Sequence, residues 1–522
     1  MADGSTTSLA NAPAQHAHPA WVCWLMPSVA DLIFLALLFT LTCTALSMRL
    51  LGDAGIGWHI RTGQIILTTH SIPQEDPFST QIHKPWVAWE WLYDVMVGAS
   101  EKVAGLNGVV WLTALVIAIV FGWTFRVLIA SGTNLLIALL LILLAISASM
   151  LHFLTRPHVF SWLFSLVWFW ILSATERGAA SRKWLWALPI LMLIWVNIHG
   201  GFIFGFVLLA VFWLGSLWTW FRTDEDRLED AIERIAAAKR ARILFFVGLS
   251  SAAASLLNPY GWNLHAHIYS YLSNRFLMDH IEEFQSPNFH GTAQRCFLIL
   301  LLVTVAALVA RGRRFRLSEN LVLLVLISSA LYSSRNIPVA SLLLVLIIGP
   351  RIPLDDWGGR FFARMKGLEL TLRGHLWPVL GAVLSLVVVF HHGRVGAIQL
   401  MDARFDPQRM PVAAVDYLAA HEFHLPVLTQ DSWGGYVIYR LYPKTRVILD
   451  DRHDFYGKEF FESYKQMIEG RRDWEHFLTQ HRPAVVLLPQ NTALANLLRE
   501  SSQWKIIYAD DVSIIALHLG VE

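Results

Sequence analysis

The first candidate site is a group of acids and bases that follows the first apolar run, within LGDAGIGWHIRTGQIILTTHSIPQEDPFS. Asp53 comes directly after the run, and His59 and Arg61 follow closely. Asp76 and Glu90 add two carboxylates before the next long apolar run. A carboxylate held beside an apolar surface can act as a general base. The pattern therefore predicts proton abstraction by Asp53, with the alternative that Asp53 only ends the first helix and is solvated in the loop.

Three glycines, Gly52, Gly55 and Gly57, surround this acid. Glycine adopts backbone conformations that other residues avoid. We therefore expect tight backbone turns around Asp53.

A second group of polar residues lies at the ends of other apolar runs. Arg156 opens RPHVFSW, His199 lies in NIHGG, Glu282 lies in HIEEF and Arg335 lies in SRN. The planar guanidinium of an arginine matches phosphate oxygens, so either arginine could hold a lipid phosphate. Each residue taken alone is more typical of helix anchoring or of bonding to free backbone groups. Their common place at outer helix ends favours one shared site over independent structural roles.

The composition indicates that helices crossing a membrane position these residues. The 522 residues are 55% hydrophobic and 15% charged, whereas an average soluble domain has roughly 25% charged residues. About 20 apolar residues are needed to cross the hydrocarbon core. The apolar runs predict about eleven spans: Val29–Met48, Val109–Ala130, Leu135–Leu151, Val159–Thr175, Trp184–Asn197, Phe202–Phe221, Ile243–Leu257, Cys296–Ala310, Leu321–Ser333, Pro338–Ile348 and Leu376–Phe390.

The loops between these spans alternate in charge. The loops rich in Lys and Arg are Glu176–Lys183, Arg222–Arg242, Arg311–Arg316 and Arg351–Arg373. The positive-inside rule places them in the cytoplasm, so the candidate site residues face the outside. This topology requires that Trp86–Gly105 does not cross the membrane. Its acids Glu90, Asp94 and Glu101 make a spanning helix costly, and we expect an amphipathic helix on the outer interface.

The C-terminal part of the chain has a different pattern. Its strand-length apolar runs are Pro426–Thr429, Val447–Leu449, Ala484–Leu488, Lys505–Tyr508 and Ser513–Leu517, and its helical patterns are Phe460–Ile468 and Asp473–His481. This alternation predicts a small α/β domain. The acids Asp450, Asp451 and Asp454 of VILDDRHDFYG match no metal-binding loop. We interpret them as a salt-bridge cluster in a loop.

Three regions follow from these patterns. Residues 1–28 form a cytoplasmic N-terminal tail, residues 29–392 form a transmembrane domain with an outer loop at 49–105, and residues 393–522 form a soluble α/β domain. A formal net charge of +2 argues against a nucleic-acid partner. The expected location is a bacterial inner membrane, with the C-terminal domain periplasmic or extracellular.

With these motifs the chain resembles the GT-C superfamily of membrane glycosyltransferases and a group of bacterial polytopic membrane proteins. The segments that carry the resemblance are the Asp53-to-His59 stretch, IPQEDPFS with WVAWEWL, RPHVFSW, WVNIHGGF, NPYGW, SRNIP and WGGYVIYRLYP with DDRHDFYG. The resemblance implies an α-helical polytopic fold with an extracytoplasmic C-terminal domain. Some members have paired acids after the first helix, and here Asp53 stands alone. A divalent metal cofactor is therefore possible but unsupported.

The resemblance also implies sugar transfer from a polyprenyl-phosphate-linked donor to an acceptor at the outer membrane face. Asp53 would be the general base, and Arg335 or Arg156 would stabilise the departing lipid phosphate. The residues expected to bind substrate are His59, Arg61, Asp76, Glu90, Arg156, His199, Glu282 and Arg335. The partners would be the lipid-linked donor, membrane lipids and an acceptor whose chemistry stays open.

Two other functions remain open at this point. A transporter or flippase predicts inverted repeats and broken helices that meet near the bilayer midplane. A non-catalytic assembly protein predicts spans that serve only as an anchor. A transferase instead predicts a cavity at the outer face that is lined by Asp53.

Overall fold

The computed structural model describes residues 20–81, 83–223, 228–311, 315–352, 359–372, 374–423 and 425–520. Residues 1–19 of the predicted N-terminal tail lie outside the described residues. The chain is helical as far as residue 390, with α1 (Ala20–Leu25), α2 (Val29–Cys43), α3 (Leu46–Leu50), α4 (Ile56–Thr69), α5 (Trp91–Ala130), α6 (Leu135–Ser149), α7 (His158–Glu176), α8 (Ala187–Val196), α9 (Ile203–Arg222), α10 (Leu228–Ser255), α11 (Trp262–Ser273), α12 (Arg275–His280), α13 (Thr292–Arg311), α14 (Leu317–Tyr332), α15 (Ile337–Ile348), α16 (Gly359–Thr371) and α17 (Leu376–Phe390).

Several of these helices are long and apolar enough to cross a membrane. Within the described residues there are six: Cys23–Cys43, Trp91–Ala130, Leu135–His152, His158–Glu176, Gly200–Arg222 and Thr292–Ala310. A bent pair of helices, Phe361–Thr371 with Leu376–Phe390, raises this number to seven. The chain is a multi-pass membrane protein, while the number of about eleven spans stays a prediction. α8 and α15 coincide with predicted spans but have only 10 and 12 residues, which is short of the roughly 20 that cross the hydrocarbon core.

Helix α5 is divided at Gly105, where the predicted interfacial segment ends. Gly105 has φ +61° and ψ −158°, a conformation that disfavours any side chain. The part before Gly105 packs on α4, where a Cβ on Gly63 would clash with the carbonyl of Asp94. The division agrees with two separate segments, and the placement of the first at the outer interface stays a prediction.

The C-terminal region contains the predicted α/β domain. After a small hairpin of β1 (Arg394–Val395) and β2 (Ile398–Gln399), its elements are α18 (Val412–Ala420), β3 (Val427–Thr429), α19 (Asp431–Leu441), α20 (His453–Tyr456), α21 (Lys458–Ile468), α22 (Glu475–His481), β4 (Val485–Pro489), α23 (Ala493–Glu500), β5 (Trp504–Ala509) and β6 (Ser513–His518). The four-stranded sheet has the order β3-β4-β6-β5, with β3 parallel to β4 and the other neighbours antiparallel. The predicted fold class is confirmed. The division at residues 28 and 392 stays a proposal.

The predicted strand at Val447–Leu449 was wrong. Val447 makes only isolated bridges, one to Val427 of the edge strand β3 and one to Ser79 in the first outer loop. Backbone hydrogen bonds fix the second bridge, since Thr80 N–H donates to the carbonyl of Val447 at 2.9 Å and Val447 N–H donates to that of Phe78 at 3.1 Å. The segment therefore joins the outer loop to the C-terminal domain, and the candidate site lies beside this junction.

Candidate active site

A cavity of about 420 Å³ lies where the first outer loop, the ends of several helices and the C-terminal domain meet. Six predicted site residues line it: Asp53, His59, Glu90, Arg156, Glu282 and Arg335. The lining also contains the aromatic residues Trp58, Trp86, Trp89 and Tyr271 and the acids Asp94, Glu283, Asp451 and Asp454. Most of the predicted residues thus share one cavity.

Asp53 lies between α3 and α4, beside Arg156. Its Oδ1 accepts the N–H of Gly55 at 2.8 Å, which orients the carboxylate, and its Oδ2 makes an ion pair with Arg156 Nη2. The loop that carries Arg156 is held in register because Thr155 N–H donates to the carbonyl of Leu50, at the end of α3, at 2.8 Å. Arg156 Nε is buried and has no hydrogen-bond partner among the described residues. One donor of this arginine therefore remains for an oxygen of a substrate.

The chain turns on both sides of Asp53, at Leu51 and at Ala54–Gly55, but the backbone conformation of Gly55 does not require glycine. Gly55 has φ −55° at the start of α4, a value open to any residue. The structure gives Gly55 and Gly57 another role, because a Cβ on Gly55 would clash with Asp451 Oδ2 and one on Gly57 would clash with the carbonyl of Gly435. These glycines permit the close approach of the C-terminal domain.

A buried group of acids and imidazoles forms another wall of the cavity, apart from Asp53 and Arg156. His59 Nδ1 lies 2.5 Å from Asp94 Oδ1, and Glu90 lies 3.8 Å from the Nε2 atoms of both His59 and His199. Glu90 and His199 are neighbours because Leu92 N–H, in the first turn of α5, donates to the carbonyl of Asn197 at 3.1 Å. Burial raises the pKa of Glu90 to about 8. Glu90 is therefore mostly protonated at pH 7 and can donate a hydrogen bond.

Arg335 lies between α14 and α15, on the other side of Glu90. Its Nη1 donates to Glu283 Oε1 at 3.0 Å, and its guanidinium lies 5.2 Å from the ring centre of Phe284. Two hydrogen bonds from the Ser334 segment to the Glu283–Gln285 loop hold these residues together. Burial alone would raise the pKa of Glu283, but Arg335 and Arg156 outweigh it and lower the pKa to about 2. Glu283 thus stays charged and fixes Arg335 at the cavity.

Three predicted residues lie outside the lining of this cavity. Arg61 Nε donates to the carbonyl of Tyr439 at 2.9 Å, and Asp76 Oδ1 accepts from Arg452 Nη1 at 2.8 Å. Both contacts join the first outer loop to the C-terminal domain. His199 lies behind Glu90, with its Nδ1 2.7 Å from Ser161 Oγ. These contacts suit positioning, whereas the roles expected from the sequence stay predictions.

The sequence interpretation placed Asp451 in a salt-bridge cluster and not among the candidate site residues. As expected of a salt-bridge cluster, Asp450 accepts from Arg452 Nε at 2.8 Å and Nη2 at 2.7 Å. Its neighbour Asp451 instead accepts from Arg156 Nη2 at 3.2 Å and from Trp58 Nε1 at 3.0 Å. The signal in the sequence was the position of DDRH after the apolar run Val447–Leu449. This run makes only isolated bridges, although segments that follow strands are a common place for ligand-binding residues.

The residues around Asp53 do not fit a metal ion. Among residues 20–520, apart from the short gaps given above, no three His, Cys, Asp or Glu side chains are grouped to hold one. The cation between Asp53 and Asp451 is the guanidinium of Arg156. No catalytic step is therefore assigned to a metal.

Comparisons with known proteins identify the fold. No protein-family model and no curated protein matches the chain. The oligosaccharyltransferase of Archaeoglobus fulgidus, in complex with Zn and sulfate, aligns with a TM-score of 0.52 at 9% identity, over 88% of this chain and 67% of that chain. AglB from the same organism, in complex with an inhibitory peptide and a dolichol-phosphate, aligns with a TM-score of 0.52 at 10% identity, over 88% and 68%. ArnT from Cupriavidus metallidurans, bound to undecaprenyl phosphate, aligns with a TM-score of 0.47 at 13% identity, over 94% and 97%.

The two archaeal structures show that this chain shares the fold of these oligosaccharyltransferases. The resemblance drawn from its motifs is confirmed at the level of the fold.

Proposed function

We propose that the chain is a membrane glycosyltransferase that moves a sugar from a polyprenyl-phosphate-linked donor to an acceptor at the outer membrane face. The observation that carries the proposal is the cavity in which Asp53 meets Arg156 and Arg335. Its volume is within the range of small-ligand sites. The AglB structure of the same fold contains a dolichol-phosphate, and this supports a polyprenyl-phosphate donor here.

Asp53 is the group that activates the acceptor in this proposal. It accepts the proton of an acceptor hydroxyl as the oxygen attacks the anomeric carbon of the donor sugar. The bond between that carbon and the phosphate oxygen breaks, and the electron pair leaves with the lipid phosphate. Arg335 stabilises the growing phosphate charge, because its fork of N–H donors matches phosphate oxygens.

The wall formed by Glu90 and His59 binds the sugar. A protonated Glu90 donates to a sugar hydroxyl, and Arg156 Nε is free to donate to another oxygen. Trp58 and Trp89 supply flat apolar surfaces that suit the faces of a sugar ring. Glu282 also lines this cavity and adds a carboxyl group to that of Glu90.

The cavity favours a transferase over the alternative functions. A transporter or flippase would place its site near the bilayer midplane, whereas here the charged groups lie in loops and at helix ends beside the C-terminal domain. An assembly protein gives no reason for ionisable groups around a cavity, since burying charges is costly. We place the cavity and residues 393–522 outside the cytoplasm, in a bacterial inner membrane.

The direct test is turnover of a panel of polyprenyl-phosphate sugars by the full-length protein in nanodiscs. We expect at least one donor to be consumed with release of polyprenyl phosphate in the presence of acceptor extracts. If folded protein consumes no donor in the panel while it moves a lipid-linked sugar between leaflets, the flippase alternative replaces the proposal.

A further inference from the structure

The C-terminal domain contributes a carboxylate to the centre of the cavity. Asp451 Oδ2 lies 3.2 Å from Arg156 Nη2, the same nitrogen that is ion-paired with Asp53 Oδ2. Trp58 Nε1 donates to the other oxygen, Oδ1, at 3.0 Å. The side chain of Asp451 is 16% exposed. Two carboxylates from distant parts of the chain thus share one guanidinium.

Close backbone packing holds Asp451 in this place. A Cβ on Gly435 would clash with the carbonyl of Ala54, and a Cβ on Gly55 would clash with Asp451 Oδ2 while lying 3.1 Å from Asp53 Oδ1. Glycine at position 435 allows the backbone of α19 to approach the loop of Asp53 this closely, and glycine at position 55 leaves room for the carboxylate of Asp451. The contact between the two carboxylate-bearing segments is therefore built into the sequence.

Titratable and charged groups from several elements surround Asp451. Those that act on its pKa are Asp53 and Arg156 from the membrane domain and Asp450 and His453 from its own segment. His59 lies behind Trp58 on α4, and Arg452 is paired with Asp450. Burial and the charge of Asp53 outweigh Arg156 and raise the pKa of Asp451 to about 7. A carboxylate of this kind takes up a proton near neutral pH, as a general base must.

We propose that Asp451 is a second catalytic carboxylate of the transferase site, working with Asp53 across Arg156. This inference rests on the proposed function. The proton released by the acceptor hydroxyl passes to the carboxylate pair and remains on Asp451, while the acceptor oxygen bonds to the anomeric carbon and the electron pair of the broken bond leaves with the phosphate. The C-terminal domain is then a part of the catalytic centre. Arg156 balances one of the two carboxylate charges, and the proton taken up by Asp451 balances the other.

The first experiment compares pH–rate profiles of Asp451→Asn and the wild type in nanodiscs. We expect kcat to fall by about 10²-fold or more, and the rise of kcat/KM through neutral pH to disappear. The combined variant D53N/D451N should be about as slow as the slower single variant, because groups that act as a unit are not additive. The matched control is Asp416→Asn, which removes an exposed aspartate of the same domain that pairs with Arg440 at 2.6 Å and should keep the wild-type profile.

A merely structural salt bridge predicts another outcome. D451N would then lower the midpoint of thermal unfolding but keep the wild-type pH profile, and that result would overturn the proposal. Gly55→Ala adds an independent probe, since its methyl group displaces Asp451 without removing a charge. We expect G55A to change the profile as D451N does.

A readout that needs no substrate separates this inference from the proposed function. Infrared difference spectra of the folded protein, recorded from pH 5 to pH 9, should show two carboxylic acids that titrate in this range. One is missing in E90Q, and the other titrates near neutral pH and is missing in D451N. Its absence from the wild type overturns the shared-proton pair, even if sugar transfer is found. If this signal is present but the protein turns over no donor, the proposal that Asp53 and Asp451 share a proton stands. The proposed glycosyltransferase activity is then contradicted.

Discussion

Arg335 is the arginine better placed to receive a lipid phosphate, because Arg156 pairs with two carboxylates, whereas among the described residues the one ion pair of Arg335 is with Glu283. Its Nη2 also lies 3.3 Å from His199 Nε2. We expect Arg335→Ala to lower kcat/KM for the lipid-linked donor by about 10²-fold. Arg335→Lys should recover part of this loss, since it restores the charge without the planar fork. Arg499→Ala, at an exposed arginine of α23, is the control and should retain full activity. Equal activity of R335A and R499A would exclude Arg335 from phosphate binding.

The burial of Glu90 makes the free energy of unfolding depend on pH, and it also sets the direction of that dependence. Its pKa rises from 4.5 to about 8 on folding, so the folded state holds a proton that the unfolded state releases. Stability contributed by this group is therefore lost as the pH rises from about 4.5 through 8. Gln mimics the protonated form, so we expect Glu90→Gln to unfold at a higher temperature than the wild type at pH 9 and at nearly the same temperature at pH 5. A thermal unfolding series in detergent measures this, and parallel curves for both proteins would show that Glu90 is charged.

The residue types at helix ends predicted the part of the cavity that the membrane domain forms. They did not predict the part that the C-terminal domain forms. Asp53, Glu90, Arg156 and Arg335 stood out because ionisable residues beside apolar spans are costly. Asp451 did not, since the acids of its segment could equally well form salt bridges, and Asp450 does so. Packing between distant segments decides whether Asp450 or Asp451 faces the cavity. The local sequence pattern carries no information on that packing.

At the scale of elements, the crossing of α4 and α19 decides how closely the C-terminal domain approaches the site. Gly57→Ala would drive a methyl group into the carbonyl of Gly435 and to 2.9 Å from Tyr439 Cβ. We expect destabilisation of about 1–3 kcal/mol, the usual range for overpacking. Gly367→Ala is the matched control, because a Cβ at Gly367 of α16 meets nothing within 4 Å. That change should stabilise the helix by about 0.5–1 kcal/mol.

Thermal unfolding of both variants measures the effect. Equal stability of G57A and G367A would mean that α4 and α19 are not in close contact.

The element predictions succeeded where a periodic pattern was strong. β3, β4, β5 and β6 occupy the predicted apolar runs, and the break in α5 falls at Gly105. The segment at Val447 failed because its backbone pairs partly with the outer loop. A run of apolar residues indicates that the segment is buried. The tertiary fold determines which segment its backbone forms hydrogen bonds with.

For the whole molecule, one buried arginine connects the first outer loop with the C-terminal domain. Arg452 is 4% exposed and binds Asp76 of the loop as well as Asp450 of its own segment. Arg452→Met leaves two buried carboxylates without their cation, which typically costs about 3–5 kcal/mol. We expect a large drop in the unfolding midpoint and easier proteolysis between the domains.

The control is Arg440→Met, since Arg440 pairs with an exposed Asp416, and it should cost less than about 1 kcal/mol. If R452M and R440M unfold alike, the Arg452 network does not hold the domains together.

We propose above that this chain transfers a sugar and that Asp53 is the catalytic base. The most direct measurement is the rate of donor consumption by wild type, Asp53→Asn and the exposed control Asp511→Asn, each shown to be folded in nanodiscs. We predict that D511N matches the wild type and that D53N loses activity by about 10²–10⁴-fold. Full activity of folded D53N with the donor that the wild type uses would exclude Asp53 as the catalytic base.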